Sequence, residues 1–157
     1  MRGKYIKWSK RALFLVCIGF FMPISCGANG ASLIKSYWGV EDDAGAKFYA
    51  VCLALAFIAA AISILYSFFH RHNVEKESLV ADWIFLWISI LGGCCVFGRI
   101  LYLCLSENIY LVFYAFQLGA YMMIVGWGLS LFFLYRAYGA KPAVEEHYVQ
   151  TDEEHTE

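Results

Sequence analysis

The sequence predicts an all-α integral membrane protein, built as an antiparallel bundle of four transmembrane helices with both termini in the cytoplasm. Of its 157 residues, 61% are hydrophobic and only 16% are charged, against about 45–50% and about 25% in a soluble domain. The charges are crowded into short segments. The uncharged runs between them are about as long as the roughly 20 residues that a helix needs to cross a bilayer. The composition therefore excludes an ordinary soluble domain.

The transmembrane domain is predicted over residues 12–140, and its spans over about 12–30, 48–69, 82–106 and 109–136. Helices are expected because backbone polar groups in lipid must be satisfied within their own segment, and the alternating pattern of barrel strands is absent. The segments outside the spans are a basic N-terminus at 1–11, an outer loop at 31–47, an inner loop at 70–78 and a disordered acidic tail at 141–157.

The Lys and Arg residues predict the orientation. Nine of the 12 lie before the first span, between the second and third spans, or after the fourth. Short cytoplasmic loops retain positive charge, so these segments should be cytoplasmic. We expect a multi-pass protein of the plasma (inner) membrane.

The outer end of the first span contains a helix-breaking residue, Pro23, followed by Ser25, Cys26 and Gly27. Pro23 removes a backbone hydrogen bond and is expected to kink the helix. Two alternatives are a substrate-facing break and a simple helix end that starts a loop. In that loop, residues 32–39 predict either a short helix along the membrane surface or an ordered cap on the bundle.

A polar layer is predicted inside the bundle around Arg99, because an ionisable side chain within a span is by default a functional hypothesis. A tight turn at Glu107 and Asn108 would make the last two spans a hairpin, with Arg99 and Gln117 at the same depth. At 1.5 Å rise per residue, Arg99 would lie about 9 Å from the outer end of its span. Tyr102 and Tyr114 would lie one turn further out. The alternative is a structural Arg99 that extends towards the outer interface.

Small residues predict close helix packing, which lets transmembrane backbones approach one another. They recur at helical spacing along the second, third and fourth spans, at Ala50, Ala54, Gly92, Gly98, Gly119 and Gly126. Such positions serve either the internal bundle or docking onto a membrane partner.

Three of the six cysteines lie near the outer ends of spans: Cys26, Cys52 and Cys104. A disulfide between two of them is a hypothesis for an oxidising outer compartment. The alternative is that cysteine serves as a small apolar packing residue.

No catalytic constellation, metal site or cofactor site is visible. The only feature that suggests nucleic-acid binding is the basic N-terminus, which the membrane topology already explains. The sequence therefore favours a non-catalytic accessory or interaction subunit in the lipid bilayer, with a membrane-protein partner or a homo-oligomer. The alternative is a small transporter or channel component that uses Arg99 and Gln117. A membrane thiol oxidoreductase is the third hypothesis.

Overall fold

The structure is a computed structural model, and it describes residues 2–40, 43–69, 77–107 and 115–139. Helices hold 89% of these residues, so the predicted all-α class is confirmed. The described ranges contain α1 Arg2–Phe21, α2 Gly30–Trp38, α3 Ala44–Phe69, α4 Glu77–Glu107 and α5 Leu118–Gly139. Among these, α3, α4 and α5 are each long and apolar enough to cross a membrane.

Helix α1 differs from the predicted first span at both ends. It begins at Arg2, so the basic N-terminal segment is helical, and it ends at Phe21 rather than near residue 30. Pro23 explains the early end, because it lacks an N–H and disfavours the helical conformation in the residue before it. Met22 closes the helix by donating its N–H to Ile18 O and Gly19 O, both at 3.2 Å. Pro23 therefore follows the end of α1 and starts a loop.

A tight turn follows Pro23 and reverses the chain. Ile24 N–H donates to Ala28 O at 2.8 Å, and Ala28 N–H donates to Ser25 O at 2.8 Å. Between them, Cys26 (φ 48°) and Gly27 (φ 79°) adopt the left-handed conformation. Glycine adopts it without steric cost, whereas at Cys26 it is unusual.

This turn also caps the start of α5. The N–H of Gly119 donates to Pro23 O at 2.8 Å, and the N–H of Gln117 donates to Ile24 O at 3.0 Å. In return, Gly27 N–H donates to Gln117 Oε1 at 2.9 Å. The first N–H groups of a helix have no partner within the helix. The end of α1 is thus bonded directly to the beginning of α5.

The predicted outer loop contains the short helix α2. The Asn29 side chain caps it by accepting the Ser32 N–H at 2.9 Å, a usual role for Asn. Leu33, Ile34 and Tyr37 are half-buried against the core. Helix α2 therefore packs onto the rest of the molecule.

The later helices also differ in extent from the predicted spans. Helix α3 begins at Ala44 rather than residue 48, and α4 begins at Glu77 rather than residue 82. Helix α5 begins at Leu118 rather than residue 109. Residues 70–76 of the predicted inner loop, Tyr114 and the tail at 141–157 lie outside the described residues.

The helices associate as two close pairs, α1 with α5 and α3 with α4. In the first pair the chains run antiparallel, because Ser9 bonds Ser130 at one end while Gly19 faces Gly119 at the other. A Cβ atom added to Gly119 would lie 2.5 Å from Gly19 O, so the two backbones are in direct contact.

In the second pair, α3 and α4 also run antiparallel. Gly92 lies so close to α3 that an added Cβ would be 3.2 Å from Ala56 N, and Ser89 Oγ donates to Ala56 O at 2.7 Å. Further along the pair, Ser63 faces Asp82.

Aromatic rings fill the contacts between the two pairs. Phe20 of α1 stacks on Phe57 of α3 with ring centroids 4.3 Å apart. Phe97 of α4 lies beside Trp127 of α5 with centroids 5.8 Å apart. The largest fully buried apolar side chains come from all four long helices and include Leu13, Leu53, Leu86 and Leu134.

Candidate functional site

An ion pair is buried where α1, α3 and α4 meet. Lys10 Nζ donates to Asp82 Oδ1, to Ser63 O at 2.8 Å and to Ser63 Oγ at 2.7 Å. The side chains of Lys10 and Asp82 are only 10% and 1% exposed. We call Lys10, Ser63 and Asp82 the Lys10 cluster.

The two charged groups of the Lys10 cluster differ in how fully they are hydrogen-bonded. The three donors of the ammonium match the three acceptors around it. On Asp82, Oδ1 accepts from Lys10 and, at 3.4 Å, from Ser63 Oγ. The other oxygen, Oδ2, is buried and has no hydrogen-bond partner among the described residues. A buried carboxylate with one free oxygen depends strongly on the nearby positive charge.

Two further hydrogen-bond sets cross between helices. Ser9 Oγ and Ser130 Oγ share a hydrogen bond of 2.7 Å between α1 and α5. Trp127 Nε1 donates to Ser89 Oγ at 2.9 Å, and this hydroxyl donates onward to Ala56 O. Trp127 of α5 is thereby linked through α4 to α3.

Of the predicted polar layer, Arg99, Tyr102 and Gln117 are described, and Arg99 and Gln117 have different partners. The Arg99 guanidinium lies 5.8 Å from the centre of the Tyr49 ring on α3. Gln117 instead accepts from Gly27, at the start of α5. Tyr102 is exposed. The predicted equal depth of Arg99 and Gln117 required an unbroken helix up to and beyond Gln117, whereas the described chain bends at Phe116 and α5 begins at Leu118.

Arg99 lines a pocket of about 320 Å³ between α2, the start of α3 and α4. We call it the outer pocket, and its lining residues are Tyr37, Asp43, Gly45, Ala46, Tyr49, Arg99 and Leu103. Burial raises the pKa of Tyr37, and the nearby positive charge of Arg99 opposes this rise. Asp43 Oδ1 caps α3 by accepting the N–H groups of Gly45 at 2.8 Å and Ala46 at 3.1 Å.

Of the predicted packing residues, Ala50 and Gly92 lie buried on α3 and α4, and Ala54 is half-buried. Gly119 and Gly126 lie against α1, where a Cβ on Gly126 would be 2.8 Å from Ala12 O.

Gly98 is placed differently. An added Cβ there would meet no atom of the described chain within 4 Å, and the residue is exposed on α4. Gly98 therefore does not pack against a helix of the described chain.

All six cysteines are free thiols in the structure. The three disulfide candidates differ in environment, since Cys26 is exposed, Cys104 is half-buried and Cys52 is buried. Cys52 lies near Cys95 of α4, at the α3–α4 contact. Within the described ranges, no three His, Cys, Asp or Glu side chains come together to hold a metal ion.

Sequence reasoning missed the Lys10 cluster. The basic N-terminus predicted over residues 1–11 contains Lys10, and Asp82 is the first residue of the predicted third span. A signal was available, because Asp82 is the one acidic residue in the long apolar run between Glu77 and Glu107. An acid at the first turns of a span predicts a basic partner at the same membrane level.

No protein-family model matches the chain, and neither a curated protein nor a solved structure shows a significant match to it. The arrangement of the residues is therefore the basis for assigning a function.

Proposed function

We propose that the chain crosses the plasma (inner) membrane four times, as an antiparallel four-helix bundle with both termini in the cytoplasm. The antiparallel contact of α1 with α5 supports a membrane crossing by α1, because α1 lies along α5 from Ser130 to Gly119. Helix α5 is long and apolar enough to cross a membrane, and α1 lies at its side over this stretch.

The charges on α1 are compatible with this insertion. Lys10 is paired with Asp82, which lowers the cost of placing both in a low-dielectric layer. Arg11 is exposed and lies over the Trp8 ring at 4.8 Å, a position from which a long side chain reaches the interface. The remaining basic residues of α1 lie nearer its cytoplasmic end, as the positive-inside rule requires.

Within the membrane, we propose that the protein is a non-catalytic accessory or interaction subunit. The observation that carries this proposal is one outward face of α4. At spacings of three and four residues this face exposes Val80, Ile84, Trp87, Leu91, Cys94, Gly98, Leu101 and Leu105. We call this set the α4 seam.

The α4 seam has the features of a helix-docking surface. Its period of about 3.5 residues keeps one stripe in contact with a second helix. Small residues, Cys94 and Gly98, lie in its middle and would let a partner backbone approach closely. The α4 span is 39% buried, as are the α3 and α5 spans, and the α4 stripe differs from the exposed stripes of those helices in having two small residues near its middle. The occupant we propose is a transmembrane helix of another membrane protein.

The test is affinity purification of the full chain from native membranes in mild detergent, with quantitative mass spectrometry. We expect one membrane protein in fixed proportion, and its loss in Gly98→Leu. The matched control is Gly128→Leu on α5, because neither glycine has an atom within 4 Å of an added Cβ among the described residues.

Equal recovery of the partner with both variants would show that the α4 seam is not the docking surface. Recovery of the chain alone would overturn the accessory-subunit proposal. Recovery of differently tagged copies of this chain, without another protein, would replace the proposed partner by a homo-oligomer.

A small transporter or channel component remains the second candidate, and the Lys10 cluster is the observation that favours it. Buried ion pairs within spans are common on ion and proton pathways. Reconstituted vesicles with a pH-sensitive dye test this candidate. Proton leak that requires both Lys10 and Asp82 would favour it over the accessory role, and equal leak in the Lys10→Met variant would exclude the cluster from a pathway.

A further inference from the structure

The outer pocket combines opposite charges and aromatic rings in one small space. It contains the guanidinium of Arg99, the carboxylate of Asp43 and the rings of Tyr37 and Tyr49. Its volume of about 320 Å³ is at the lower end of the range for small-ligand pockets, about 300–1,000 Å³, so it admits a small polar group.

The outer pocket lies near the membrane surface if the chain is inserted as proposed above. Helix α4 has 31 residues and is therefore about 46 Å long, against about 30 Å for the hydrocarbon core. If α4 extends equally at both sides, about 8 Å of it emerges at each end. Arg99 lies eight residues, or about 12 Å, before the end at Glu107, within reach of the lipid phosphates.

We propose that the outer pocket binds a zwitterionic headgroup of the phosphoethanolamine type, with its phosphate on Arg99 and its ammonium towards Asp43. The planar guanidinium donates two parallel hydrogen bonds to phosphate oxygens. The ammonium is attracted by the carboxylate of Asp43, which lines the same pocket.

Asp43 is the residue that favours a zwitterion over a plain anion. Its carboxylate shares the pocket with Arg99 and repels a phosphate that carries no positive group. A ligand with both charges pairs each of them. Because Asp43 Oδ1 already caps α3, the carboxylate is held in place before the ligand arrives.

The test uses the full chain purified in mild detergent and measured by native mass spectrometry with short-chain phosphatidylethanolamine or phosphatidylglycerol. We expect the ethanolamine lipid to bind at least tenfold more tightly. Arg99→Gln should weaken its binding at least tenfold. Arg136→Gln, which removes an exposed Arg at the far end of α5, should leave binding unchanged.

Asp43→Asn tests the contribution of the negative charge separately from that of Arg99. Asn is an equally good N-cap, so α3 is preserved while the negative charge is removed. We expect the preference for the ethanolamine lipid over the glycerol lipid to fall to nearly equal binding. If Arg99→Gln fails to fold by circular dichroism, Arg99→Lys retains the charge without the bidentate geometry and should weaken binding less.

Soluble O-phosphoethanolamine distinguishes a lipid headgroup from a free zwitterion. Binding at least tenfold weaker than that of the lipid supports a lipid source, and equal binding assigns the pocket to a free zwitterion. Equal affinity for both lipids in the unaltered chain, or unchanged binding in every Arg99 variant that folds, would overturn the proposal. Since the readout is lipid binding, its failure is distinguishable from the absence of a protein partner.

Discussion

Removal of the positive charge from the Lys10 cluster should destabilise the protein more than removal of the negative charge. In Lys10→Met the linear side chain is kept but all three donated hydrogen bonds are lost. Asp82, at 1% exposure, then retains only the Ser63 hydroxyl at 3.4 Å. Leaving a buried charge without its partner costs about 3–5 kcal/mol. At about 1.4 kcal/mol per tenfold change, the ratio of folded to unfolded protein falls by a factor of about 10² to 10⁴.

The reciprocal change, Asp82→Asn, should lower the free energy of unfolding by less, about 1–3 kcal/mol. Lys10 keeps two neutral acceptors on Ser63, and its longer, slightly more exposed side chain is able to turn towards the interface. The double variant contains neither charge, so it should be more stable than Lys10→Met alone. A double-mutant cycle would then give a coupling of roughly 2–3 kcal/mol.

The assay is reversible unfolding in mixed micelles by increasing SDS, followed by circular dichroism. Lys7→Met is the matched control, because Lys7 is an exposed Lys on the same helix. A cost for Lys10→Met equal to that of Lys7→Met would refute the reasoning. A double variant no more stable than Lys10→Met would refute the coupling.

Three further predictions concern packing, hydrogen bonding and topology. Gly119→Ala should lower the free energy of unfolding by about 1–3 kcal/mol in the same SDS assay, because its Cβ would lie 2.5 Å from a backbone oxygen of α1. The control, Gly128→Ala, is at an open position and should not destabilise the chain. Trp127→Phe should cost about 1 kcal/mol or more, since Ser89 Oγ loses its donor; an unchanged SDS midpoint would contradict this. A membrane-impermeant maleimide should label exposed Cys26 in intact cells if that turn is outside, and labelling only after lysis would reverse the proposed orientation.

The sequence was sufficient for properties that depend on local composition. The all-α class and the apolar character of α3 and α4 follow from the length of uncharged runs, which is read without knowledge of any partner segment. The helix-breaking character of Pro23 is equally local, although its effect is to end α1 rather than to kink it. The extra turns at the start of α3 and α4 were missed because charged residues there are compatible with helix outside the apolar layer.

The predicted site depended on non-local geometry and is placed differently for that reason. Arg99 and Gln117 were matched by counting residues from a turn, which requires continuous helix on both sides of it. Helix α5 begins only at Leu118, and Gln117 bonds the turn after α1, which is 90 residues away in sequence. The Lys10 cluster likewise joins residues 72 positions apart. The local pattern predicts that Asp82 has a basic partner, but it does not specify which residue that is.

The distribution of small and polar residues explains how the proposed bundle is held together without a hydrophobic driving force between helices in lipid. Gly19 and Gly119 join α1 to α5, and Gly92 joins α4 to α3, so close backbone packing stabilises each pair internally. The two pairs are joined to each other by the polar contacts of the Lys10 cluster, in addition to the aromatic contacts. Lys10 connects α1 to both α3 and α4. Because Lys10 bonds α1 to both α3 and α4, its loss should weaken the contact between the two pairs, which the Phe20–Phe57 and Phe97–Trp127 ring contacts would continue to hold.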